Sequence, residues 1–95
     1  PMSINTVERQ LRRNSLQLGR LKTELAVLEE QFGHFADEAQ TTRIHSLVSE
    51  TPISERTHQQ AARHLEVIER QRDKLKLQIC ELEGRQDSLL DQINS

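Results

Sequence analysis

Aromatic side chains are almost missing from this sequence: it has no Trp, no Tyr and only two Phe in 95 residues. Aromatics supply much of the buried bulk of compact cores, so a multi-layered globular interior is not expected. Hydrophobic residues make up 34% of the chain. Adding the three glycines still leaves it well below the roughly 45–50% of an ordinary globular domain. The single cysteine, Cys80, excludes an internal disulfide and fits a reducing, cytoplasmic setting. No apolar run approaches the roughly 18 residues that would span a bilayer, and no signal-peptide core is visible, so no membrane association is expected. There is no Gly-rich phosphate loop, no Cys pair and no His-Glu-x-x-His motif, which removes the usual sequence signs of nucleotide, zinc or metalloprotease chemistry. Neither sign of charge dominates: 13 basic residues stand against 15 acidic ones, for a net charge of −2. A global nucleic-acid signature is therefore lacking. Proline occurs twice, at Pro1 and Pro52. Pro1 ahead of Met2 reads as a cloning remnant, with Met2 either the natural start of a small protein or the edge of a fragment.

What the chain does have is Leu, Gln, Glu and Arg, all good helix formers, arranged with a three-and-four spacing. The first run is Ile4, Val7, Leu11, Asn14, Leu18, Leu21, Leu25, Leu28, Phe32, Phe35, Ala39, Thr42. This is the a/d pattern of a coiled coil with one polar intruder, Asn14. The second run is His58, Ala61, Leu65, Ile68, Arg72, Leu75, Ile79, Leu82, Gln86, Leu89, Ile93, with His58, Arg72 and Gln86 as polar members. Between them stands Ser49-Glu50-Thr51-Pro52. Thr51 can cap a helix whose first residue is Pro52, where a missing N–H is harmless. The residue before a proline avoids helical angles, so the first helix stops by Glu50. The expected organisation is helix one over about 3–48, a turn over about 49–51 and helix two over about 52–94, in one domain covering residues 1–95. Each helix would be roughly 60–65 Å long at 1.5 Å per residue. The fold class is therefore all-α: an antiparallel two-helix coiled-coil hairpin, with pairing of two hairpins into a four-helix bundle as the expected assembly.

The register can be read from the sequence. If the turn is centred on residue 50, Val7 faces Ile93, Leu11 faces Leu89, Leu18 faces Leu82, Leu21 faces Ile79, Leu25 faces Leu75, Phe32 faces Ile68 and Ala39 faces Ala61. Asn14 then faces Gln86, and Thr42 faces His58. Asn14, Gln86 and Arg72 are the register-setting polar residues. Arg72 is mismatched with Leu28, and is expected to lay its stem along the seam and reach toward Glu24, Glu29 or Glu69. A parallel dimer of continuous helices would stack Arg72 on its own copy and carry helix through Pro52, at a cost of about 3 kcal/mol or more.

Several surfaces could carry a function. Gly19, Ala26 and Gly33 recur every seven residues and, with Ala36, form a line of small residues on one flank of helix one. Exposed slack is the simpler account; a closely packed homodimer seam is the other. Past Thr42 and His58 the seam turns polar, at Ser46 and Ser54, and Ile44, Leu47, Val48 and Ile53 fall out of phase. Either the chain rewinds to tuck them in, or they form an exposed apolar patch for a partner. Arg9, Arg12, Arg13, Arg20 and Arg85 form a mildly basic patch near the ends of the chain. Phosphate contacts would want such a patch, but without aromatic stacking platforms single-strand binding is less expected than a solvated face. His34, Glu38 and His64 could in principle approach one another as metal ligands; exposed histidines on a polar flank are the expected outcome. Cys80 is expected to be outward and unreactive. In size the hairpin resembles small secreted helical hairpins with a Trp-x-Gly turn. This turn reads Ser49-Glu50-Thr51-Pro52 and holds no Trp, so nothing transfers from that resemblance.

These features predict a non-enzymatic protein–protein interaction module with no cofactor: a scaffold or adaptor that homodimerises and offers its turn to another protein. The alternative is an accessory factor that binds nucleic acid or the transcription machinery through the basic end.

Overall fold

A computed structural model describes residues 3–95; the reading of Pro1 and Met2 lies outside them. The chain is an all-α helical hairpin of α1 (Ile4–Ser49) and α2 (Pro52–Asn94). Helix one thus runs one residue past its expected end and the turn shrinks to Glu50 and Thr51. The reason is local. The Glu50 amide still donates to the Ser46 carbonyl (2.9 Å), while Glu50 itself takes a left-handed backbone, φ 51°. That conformation ends an α-helix and is usually left to glycine. Thr51 then opens α2. Its hydroxyl accepts from the Ser54 amide (3.1 Å), and Ser54 Oγ in turn accepts from the Thr51 amide (3.2 Å). This reciprocal pair is a capping box with Ser at the third helical position. At the start of α1, Ser3 Oγ accepts from the Thr6 amide (3.2 Å) in the same role.

The hairpin divides into two units. The terminal unit comprises the chain up to Leu25 together with Lys74–Ser95, and the turn unit comprises Ala26–Asp73. In the terminal unit the apolar seam is well formed: Val7, Leu18, Leu75, Ile79 and Leu89 are buried. Asn14 is buried among them, 4% exposed. Its Nδ2 donates to Gln86 Oε1 at 2.6 Å and to the Leu82 carbonyl at 2.9 Å. Both polar partners are where a turn centred on residue 50 puts them. A slip of one heptad would have left the Asn14 amide against aliphatic side chains, at the cost of its hydrogen bonds.

The turn unit is built differently. Ile68 is its one buried apolar residue among those described, and the other two buried residues are Ser46 and Ser54. Phe32, Phe35, Ala39, Ala61 and Leu65 are half-buried. Ser46 Oγ donates to Glu55 Oε2 (2.9 Å), so polar contacts take over where the heptads run out. His58 Nδ1 is buried without a hydrogen-bond partner. Arg72 differs from expectation: its guanidinium lies 4.4 Å over the Phe32 ring and pairs with Asp73 (3.4 Å). Asp73 is a neighbour along the chain that the cross-seam reading did not name. A cation over an aromatic face in a half-buried site is stabilised by the ring quadrupole, which offsets the mismatch with Leu28.

Candidate protein-interaction surfaces

The turn presents most of the unit's wetted apolar surface. Ile44 is 52% exposed, Leu47 67%, Val48 80% and Ile53 70%. The local rewinding that would have tucked them in does not occur. Helix α1 stays regular to Ser49, and the residues that reach the seam are Ser46 and Ser54. Ile44, Leu47 and Val48 are spaced by three and four, so they share one outward stripe of α1. Beside it, Leu47 and Pro52 border a recess with Ser46, Glu50, Thr51 and Glu55. Two carboxylates therefore border the recess together with Leu47 and Pro52. Glu55 is held by Ser46 and by Gln59 Nε2 (3.4 Å), and Glu50 belongs to no ion pair among the described residues.

In the terminal unit the basic residues Arg9, Arg12, Arg13, Arg20 and Arg85 are all exposed. Three of them line two different recesses. Arg13 and Arg85 share a shallow recess with Gln10, Asn14, Gln17 and Leu82, where Arg85 donates to Gln10 Oε1 at 3.5 Å. Arg12 lines a separate and mostly apolar recess with Leu11, Ser15, Leu16, Gln86 and Leu90. Heptad counting did not single out Leu16 and Leu90, which lie off the a/d positions. The signal available was an apolar residue on a flank otherwise occupied by polar ones. The exposed ion pair Lys22–Glu83 (3.9 Å) contributes little at such accessibility.

The small-residue line is open. Gly19, Ala26 and Gly33 are exposed and Ala36 is half-buried; a Cβ added at Gly19 or Gly33 would meet nothing within 4 Å. Glycine in a helix interior costs about 0.8–1.0 kcal/mol relative to alanine. Gly19→Ala and Gly33→Ala should therefore each raise stability by about that amount in urea unfolding. A loss of stability at either position would mean that another helix is packed there in solution.

Of the histidines, His64 lies against Phe35, ring centroids 4.1 Å apart. No group of three His, Cys, Asp or Glu side chains among the described residues is placed to hold a metal ion. Cys80 is a free, exposed thiol. No helix among the described residues is long and apolar enough to cross a membrane. In comparisons with protein-family models, curated proteins and solved structures, the chain matches none.

Proposed function

We propose that this hairpin is a non-catalytic protein-interaction module, an adaptor or scaffold that engages its partner through the turn. One observation carries the reading: four large aliphatic side chains, Ile44, Leu47, Val48 and Ile53, stand more than half exposed within ten residues of one another. Exposing them forgoes hydrophobic stabilisation, and a concentration of exposed apolar side chains is the usual mark of a docking site. A turn held by a capping box at Thr51 and Ser54 presents such a patch in one conformation, which lowers the ordering cost of binding. A reducing, cytoplasmic setting belongs to this reading, supported by the lone exposed thiol of Cys80. Nucleic-acid binding through the arginines is the weaker reading, because they are spread over separate surfaces and have no aromatic platforms beside them.

The test is a double substitution, Leu47→Ser with Val48→Ser. Both side chains are mostly in solvent, so the melting temperature should move by no more than about 2–4 °C, as for other surface changes within about 0.5 kcal/mol. Binding to the partner, read by affinity capture with the wild-type chain as control, should be lost. A drop of many degrees would show that these residues are core and would remove the basis of the proposal.

A further inference from the structure

The turn brings Pro52 and the exposed side chain of Leu47 together with the carboxylates of Glu50 and Glu55, so an occupant that offers apolar surface beside a cation complements it. The terminal unit offers both. Leu11, Leu16 and Leu90 line a recess of about 490 Å³ with Arg12 at its edge. Leu16 is 65% and Leu90 43% exposed, so this apolar surface is also uncovered. Arg12 belongs to no ion pair among the described residues. Net charge follows the same division. The turn unit has nine acidic against five basic side chains, and the terminal unit has eight basic against six acidic.

The geometry points to head-to-tail self-association: Leu47 and Pro52 of one copy seat in the Leu11–Leu16–Leu90 recess of a second copy, with Glu50 or Glu55 facing Arg12. This rests on the reading of the turn as a docking site, and it names the occupant as another copy of this chain. The two surfaces differ, so the contact is heterologous and need not close at two copies. Each added copy leaves one turn and one recess free. Charge complementarity sets the orientation and the encounter rate, and the aliphatic contact sets the lifetime. A lateral pair along Gly19, Ala26 and Gly33 would behave differently: it is self-complementary and stops at two.

The experiment is sedimentation of the 95-residue chain from low micromolar to near-millimolar concentration, with helicity followed by circular dichroism. The wild-type chain is expected to form species that grow past the dimer with concentration and shrink at high salt. Leu47→Asp and Leu16→Asp alter exposed positions on different surfaces. Each should keep its helicity and weaken association by about tenfold or more, the loss expected for one buried leucine. An equimolar mixture of the two variants has one intact turn and one intact recess per pair, so it should recover dimers and nothing larger. Ala26→Arg should leave association unchanged. A wild-type chain that stays monomeric throughout, a mixture of the variants no more associated than either alone, or dimers abolished by Ala26→Arg would each overturn the proposal. Affinity capture separates this failure from failure of the turn reading. A monomeric chain whose partner is lost with Leu47→Asp and kept with Leu16→Asp still docks through its turn; one that keeps its partner with both does not.

Discussion

Asn14→Asp should unfold much of the population at neutral pH, costing about 3–5 kcal/mol, the range for an uncompensated buried charge. Asn14 is 4% exposed, and its Nδ2 donates to two acceptors, Gln86 Oε1 and the Leu82 carbonyl. An aspartate has nearly the same shape but no donor when ionised. It would set a carboxylate oxygen against both acceptors in the apolar seam of the terminal unit. The carboxylic acid can restore one of the two bonds, so folding favours the protonated form and raises the pKa of the introduced group in the folded state. The charge part of the penalty is then absent below the ordinary aspartate pKa of about 3.9, leaving the cost of one lost hydrogen bond, and grows as pH rises toward the folded value, above which it is complete. Chemical denaturation from pH 3 to 8, each point compared with the wild-type chain, would show the variant approaching wild-type stability only at the acid end. A variant equally stable across that range would mean that the Asn14 site is hydrated and that the polar pair does not hold the register.

This pair also shows what was legible in the sequence. Asn14 and Gln86 could be placed opposite one another from heptad arithmetic and the turn signal at Thr51–Pro52 alone, because a coiled coil ties chain position to facing partner with little freedom. The same arithmetic did not name the contacts that Arg72 makes with Phe32 and Asp73. Opposite-residue counting looks across the seam, while a long guanidinium stem can sweep along it, to Phe32 and to its own neighbour Asp73. At the turn, heptad phase identified Ile44, Leu47, Val48 and Ile53 as out of register but could not choose between rewinding and exposure. That choice depended on whether Ser46, Ser54 and Glu55 could satisfy a polar seam. Ser46 pairs with Glu55 and Ser54 with Thr51 through hydrogen bonds that no hydrophobic pattern encodes, while His58 Nδ1 in the same unit is left without a partner. The recess at Leu16 and Leu90 was legible only as two apolar residues off the a/d positions, because they become neighbours only when the antiparallel helices are in register.

Leu75→Ala should cost about 2–5 kcal/mol, the usual range for emptying a buried leucine site. Leu75 is 5% exposed, on the a/d stripe of α2 opposite Leu25. Two helices can close round the gap only by moving together, and the register held by Asn14 and Gln86 limits that movement. The value should therefore fall in the upper half of the range. Equilibrium urea unfolding followed by far-ultraviolet circular dichroism would measure it as a lower midpoint with unchanged slope. The same truncation at Leu65, only half-buried in the turn unit, should cost clearly less, since less apolar surface is returned to water. The contrast matters for function. A firm terminal seam and a thin, polar-lined turn place the weakest part of the hairpin next to its most exposed apolar side chains, so a partner that covers Leu47 and Ile53 would stabilise the unit that most needs it. If Leu65→Ala proved as costly as Leu75→Ala, the two units would be equally well packed and that gradient would not exist.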